Sequence, residues 1–251
     1  QMSFPQAYLH GASEAAVAIT IALYHRGVTG EGQYLDISIQ HSIISVTGNV
    51  IPSQELSGVI LTRVGNLRGG VSPNIKQRQL WKCKDGYLNF WILGGGFGEK
   101  SNRSLARWMD EEGMADDFIR SIDWHSFDQS TVAPEVQAHL ERKVAEFFLT
   151  HTKEELYEGA IQRSISLAPV STPADITHNP QLQDRDFWVD VHHDELGTEV
   201  RYPGSFAKVT GAAPLTIRRR APLIGEHNAE IFREVGLSSA QINELKAGNI
   251  I

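Results

Sequence analysis

Only one of the 251 residues is a cysteine, Cys83, so no disulfide can form within the chain. A lone thiol fits a reducing compartment, and the expectation is a cytoplasmic protein. Long apolar runs are also missing. The longest, 15–23, falls far short of the ~20 residues a membrane span needs and carries Thr20. No secretory signal pattern is visible. Positive charge is in deficit: 23 Lys and Arg against 30 Asp and Glu give a formal charge of −7. This argues against nucleic acid or an anionic membrane as a partner. It leaves room for a small anion held by a local basic cluster. Acids are scarce at the start of the chain, where Glu14 is the only one before Glu31 and no aspartate precedes Asp36.

What is present is a globular composition. Hydrophobic residues make up 41% of the chain, enough for one large domain or two small ones with a sizeable core. Residues 11–25 are rich in Ala, Ile, Val and Leu on nearly all sides, which predicts a buried helix. Thr29-Gly30-Glu31-Gly32 ends it with turn chemistry. Residues 33–39 then alternate Tyr34, Asp36 and Ser38 with Leu35, Ile37 and Ile39, the period of a half-buried strand. A strand there needs sheet neighbours that the preceding residues do not supply. Residues 41–54 read as helical or irregular, and 58–74 as a long connection holding Gly65, Gly69, Gly70 and Pro73.

Two short strands, 79–83 and 87–93, flank Lys84-Asp85-Gly86 and predict a hairpin. Helices follow over 99–114 and 134–163, the second with Val144, Phe147, Phe148 and Leu156 as a core stripe. Residues 167–170 read as a strand. Thr172 then caps a helix that has Pro173 at its first position. Strands are predicted over 187–192 and 197–202, and two short helices over 225–246, with Ser238 capping the second. Trp81, Phe90, Trp91, Trp108, Trp124 and Trp188 read as a small-domain core. The pattern is an α/β or α+β chain with two sub-domains.

His192-His193-Asp194-Glu195 superficially resembles a metal motif. Adjacent strand residues point to opposite faces, and no partner pair with zinc-like spacing stands elsewhere, so no metal site is expected. Gly94-Gly95-Gly96 lacks the context of a phosphate loop and is expected simply to enter the next helix. Arg26, Arg63, Arg68, Lys76 and Arg78 offer local positive charge for phosphates, mostly as solvated side chains. Arg218-Arg219-Arg220 reads as a solvated strand edge or an interface cluster.

Four stretches in order resemble the family III CoA-transferases, the group of formyl-CoA transferase, carnitine CoA-transferase and α-methylacyl-CoA racemase. They are Ala22-Leu23-Tyr24-His25-Arg26 with Thr29-Gly30-Glu31-Gly32-Gln33, and Gly65-Asn66-Leu67-Arg68-Gly69-Gly70 leading to Trp81-Lys82-Cys83-Lys84-Asp85-Gly86-Tyr87. The third is Ala168-Pro169-Val170 with Asp175-Ile176, Asn179-Pro180-Gln181-Leu182 and Arg185-Asp186-Phe187-Trp188. The fourth runs from Arg220-Ala221-Pro222-Leu223-Ile224-Gly225-Glu226-His227 to Leu237.

The resemblance implies an α/β fold, the C-terminal portion of a longer interlocked-dimer architecture. Residues 1–58 would end a Rossmann-like large domain, and 59–78 would link it, through a glycine loop, to a small α+β domain over 79–205. Residues 206–251 would return to the large domain. It implies CoA transfer between an acyl-CoA thioester and an organic acid, with CoA as substrate and no tightly bound cofactor. The partner would be a second copy or a related chain.

The family nucleophile is an aspartate just before the first helix, because a carboxylate can form a mixed anhydride and then a thioester. Counting along the matched run places it at Tyr8 or Ala7, neither acidic. The nearby groups are Tyr8, a hydrogen-bond donor; His10, an acid or base; and Glu14, a carboxylate that a helix's first turn favours anyway. Ile39 and Gln40 stand where relatives touch CoA. Gly65, Asn66, Gly69 and Gly70 match in part the loop that shields the acyl-enzyme from water. Two other readings follow: a non-catalytic subunit or binding module paired with an active chain, and an acyl-CoA racemase using His10 for proton transfer. The chain alone is expected to expose apolar surface around its first helix.

Overall fold

A computed structural model describes residues 6–46, 48, 50–62, 65, 67–69, 76–128, 131–211 and 216–251. The chain divides into two compact units, Gln1–Val170 and Ser171–Ile251. The described residues mix helices with three small antiparallel sheets.

The first unit opens with helix α1, Ala7–Thr29, which stops at Gly30. That glycine takes φ +80°, a left-handed conformation favoured by a residue without Cβ, and its N–H donates to the Arg26 carbonyl at 2.8 Å. The helix is longer than the sequence pattern predicts, and it is not buried. Gly11 is its only buried residue, while Leu9, Val17, Ile21, Leu23 and Val28 are exposed.

Residues 31–38 form no ladder, which corrects the strand expected over 33–39. The alternation itself survives: Leu35 and Ile37 are half-buried between exposed neighbours. A strand exists only when a second one takes up its N–H and C=O groups, and no strand of the described residues lies beside this segment. Helix α2, Ile39–Val46, starts where Ser38 Oγ accepts the His41 N–H at 3.2 Å. Helix α3, Val50–Ser57, follows.

The connection expected over 58–74 contains a strand. β1, Leu67–Gly69, pairs antiparallel with β2, Lys76–Arg78, with Leu67 opposite Arg78. The predicted hairpin forms as β3, Leu80–Cys83, and β4, Gly86–Phe90. Its loop is Lys84-Asp85, and the Asp85 carboxylate accepts the Lys153 backbone N–H at 2.8 Å. Four helices come next: α4, Gly95–Glu111; α5, Asp117–Ser121; α6, Pro134–Thr150; and α7, Lys153–Arg163. As expected, Gly94-Gly95-Gly96 leads into α4, with Gly94 at the N-cap.

The single helix expected over 134–163 is two. Thr152 caps α7 by accepting the Glu155 N–H, and the Glu155 carboxylate returns to the Thr152 N–H, so a new helix start outcompetes continuation. Strand β5, Leu167–Pro169, joins β4 to complete the order β3-β4-β5.

The core lies between this sheet and helices α4 to α7. Trp81, Phe90, Phe147 and Phe148 are fully buried, with Trp108 and Trp124 nearly so. Val144 and Leu156 join them as the sequence stripe predicts. Trp91 is only half-buried, and Trp188 belongs to the second unit, so neither is part of that core. Position in the strand decides this: Trp81 and Phe90 fall on the covered face of β3 and β4.

Asp116 shows how the helices are tied. Its Oδ1 caps α5 by accepting the Ile119 N–H at 3.0 Å, and its Oδ2 meets His139 of α6 at 2.8 Å. Partial burial pushes its pKa up, but the Ile119 N–H, His139 and Lys143 outweigh that and hold it below the usual carboxylate range. Asp116→Ala is therefore expected to cost about 1 kcal/mol or more at neutral pH, measured by urea unfolding. Because the folded pKa is depressed, the contribution of the charge is complete above about pH 4 and is lost as pH falls through the folded value. The gap between variant and parent should accordingly narrow in acid.

The second unit holds α8, Pro173–Thr177, and α9, Pro180–Asp184, capped by Thr172 and Asn179. Strands β6, Trp188–His193, and β7, Thr198–Pro203, form a hairpin with Asp190 opposite Arg201. Helices α10, Asn228–Glu234, and α11, Ser239–Ala247, close the chain, the latter capped by Ser238 as expected.

Candidate functional site

The site begins at a close approach. A Cβ on Gly11 would stand 3.0 Å from Ile39 Cγ1, so the missing side chain lets α1 and the start of α2 meet. This brings the turn carrying Tyr8 and His10 toward Ile39. Tyr8 itself is 78% exposed, and Gln40 is exposed on α2. His10 is half-buried, with Nε2 3.4 Å from Gln6 Oε1. Because α1 starts at Ala7, Glu14 lies two turns inside the helix rather than in its first turn. The attraction of a helix N-terminus for acids does not explain it.

Glu14 lines an open cleft of about 180 Å3 with Asp36, Ser38, His41, Ser42 and Ser45. Ser42 is buried, and its hydroxyl donates to the Ser38 carbonyl at 3.1 Å. Asp36, His41 and the three serines are site residues that motif reasoning passed over. Their signal was present in the spacing: 38, 41, 42 and 45 fall on one face of a helix. Among the described residues the lining holds two acids and no Lys or Arg. Such a cleft offers acceptors to hydroxyl and N–H donors and repels phosphate.

Of the basic residues picked out by the sequence, those with described side chains do not line this cleft. Arg78 lies over the Trp81 ring at 4.6 Å and donates to the Leu80 carbonyl. Arg219 pairs with Glu230 and stays exposed as expected, whereas Arg220 is largely buried between Glu195 and Glu226. Arg63 lies outside the described residues, as do Asn66 and Gly70 of the glycine loop. Gly65 takes φ +71°, and Gly69 ends β1.

A long helix, a glycine turn, an extended segment and an antiparallel small domain with a helical cover define a mixed-fold chain with its candidate site at the α1–α2 crossing. The chain belongs to CoA-transferase family III, whose family model matches residues 1–228. It is 30% identical over 245 residues to the succinyl-CoA:(R)-benzylsuccinate CoA-transferase subunit BbsE of Thauera aromatica, covering 96% of this chain and 56% of that one. It is 28% identical to the succinyl-CoA:mesaconate CoA-transferase of Haloarcula hispanica, over 89% of this chain and 52% of the other. A CAIB/BAIF family protein from Brucella suis shares the fold at a TM-score of 0.68 and 21% identity, covering 93% of this chain and 56% of that one. The chain thus spans about half the length of the curated relatives it matches. No helix of the described residues is long and apolar enough to cross a membrane.

Proposed function

We propose that this chain takes part in CoA transfer between an acyl-CoA thioester and an organic carboxylic acid, paired with a related chain that carries the nucleophilic carboxylate. The observation that carries the pairing is the start of α1. Ala7 and Tyr8 stand where the family's aspartate is expected, and a phenol cannot form the mixed anhydride through which a carboxylate passes the acyl group on. The relative from Thauera aromatica is itself described as a subunit.

Surface area supports a partner. The chain exposes 17,677 Å2. Two separate globules of the sizes of its two units would expose only about 13,000 Å2. The excess is surface that the chain's own packing leaves uncovered. Exposed Leu9, Ile21, Leu23, Tyr24 and Val28 place part of it on α1.

In this reading CoA is a substrate, not a resident cofactor. Ile39 and Gln40 face its thioester end, and Tyr8 and His10 donate hydrogen bonds to the thioester carbonyl. Gly65, Asn66, Gly69 and Gly70 form the cover that keeps water from the acyl intermediate.

The test is CoA exchange from succinyl-CoA to a free dicarboxylic acid. The chain alone should be inactive. Mixed with a family III chain that has the aspartate, it should form a stable complex and exchange CoA, with hydroxylamine trapping a hydroxamate on the partner. Glu14 in the cleft favours a second reading, in which this chain supplies its own carboxylate. Exchange by the chain alone that Glu14→Gln abolishes would establish that reading and sink the first.

A further inference from the structure

The His192-His193-Asp194-Glu195 run serves no part of the site described above. In the β6–β7 hairpin its two histidines separate. His192 is exposed and lies 3.2 Å from Asp194, whereas His193 is buried at 7% exposure. Both ring nitrogens of His193 are engaged. Nδ1 lies 2.8 Å from Glu195 Oε1, and Nε2 lies 3.0 Å from the Tyr202 hydroxyl.

An ionised carboxylate only accepts, so Nδ1–H donates to Glu195. With the imidazole neutral, Nε2 then accepts the phenolic O–H of Tyr202. Glu195 is kept ionised: the His193 hydrogen bond, its own backbone N–H and the Arg220 charge hold its pKa below the usual range. Arg220 Nε meets Glu195 Oε2 at 3.0 Å, and the same guanidinium grips Glu226 at 2.8 Å. Hydroxyl, imidazole base and orienting carboxylate thus stand in series, the arrangement that activates an oxygen nucleophile.

We infer that Tyr202 is an activated phenol that accepts an acyl group from a thioester or activated ester, with His193 as its base and Glu195 orienting that base. In the step, Tyr202 Oη bonds to the acyl carbon while its proton passes to His193 Nε2. The carbon–sulfur or carbon–oxygen bond to the leaving group breaks, and the departing thiolate or alkoxide takes the proton back from the imidazolium. The product is a tyrosine ester, with no change of oxidation state. An acyl-CoA as the natural donor rests on the function proposed above. The reactivity of the phenol does not.

The intact chain would be treated with p-nitrophenyl acetate and the acetyl groups located by peptide mass spectrometry. Tyr24, Tyr34 and Tyr87, exposed at 77%, 93% and 53%, are internal references. Tyr202 should be acetylated at least about tenfold faster than these three, and His193→Gln should slow it about a hundredfold, within the usual range for a general base. Tyr202→Phe should remove that adduct alone. Unfolding the parent chain in urea, which parts Tyr202 from His193, should bring all four tyrosines to similar rates, so the comparison stands even if a variant fails to fold. Labelling of Tyr202 no faster than the exposed tyrosines would overturn the inference and leave a structural clamp. Transfer from the ester but none from succinyl-CoA would overturn the thioester as donor only, leaving CoA exchange to its own test.

Discussion

Gly98→Ala is expected to destabilise the first unit strongly, by at least the 1–3 kcal/mol typical of overpacking. A Cβ at this position would stand 1.8 Å from the Leu93 carbonyl oxygen and 2.4 Å from its carbon. Both are backbone atoms and cannot rotate away. The same carbonyl accepts the Asn102 Nδ2–H at 2.7 Å, so shifting it also loosens a buried hydrogen bond. Gly98 is therefore the point where α4 lies directly against the segment that joins β4 to α4. Gly96, two residues earlier in the same helix, has open space where its Cβ would go. Gly96→Ala should instead stabilise by up to ~1 kcal/mol, through helix propensity alone. Thermal unfolding measures both. Opposite signs are the expected result, and a mild effect at Gly98 would mean that the segment around Leu93 can move.

Phe148→Ala should cost about 3–5 kcal/mol, the range for removing a buried phenylalanine. The ring is fully buried at the centre of the core. It meets Trp81 edge-on at 5.7 Å and Phe90 at 5.6 Å, with Phe147 at 6.1 Å. Such pairs add about 0.5–1.5 kcal/mol each beyond area burial, and none of these neighbours can collapse into the gap without leaving its own partner. Urea unfolding followed by tryptophan fluorescence reads the loss directly, since Trp81 reports on the same cluster. Phe97, 96% exposed, is the control, and Phe97→Ala should stay within about 0.5 kcal/mol.

Local signals were legible wherever a few neighbouring residues decide the outcome. Thr172 with Pro173, and Ser238 before α11, announced helix starts, because a cap is made within four residues. The hairpin around Lys84-Asp85 and the stripe of Val144, Phe147, Phe148 and Leu156 were equally visible. The break at Thr152 was missed even though its capping box is local, because an apolar stripe running through it masked the stop. The serines and His41 of the cleft belong to no chemical motif, and the helical face they share becomes a cleft only where α1 packs beside it.

By itself the sequence determined the family, the mixed helix and sheet content, and the lack of an acid at Ala7 and Tyr8. Each depends only on residue identity, order and short spacing. Tertiary structure decided the rest. Whether residues 31–38 become a strand depends on a neighbour to bond with, and whether α1 is buried depends on what packs against it. Likewise, Gly11 meeting Ile39 depends on packing between helices, and Tyr202 meeting His193 depends on the pairing of β6 with β7.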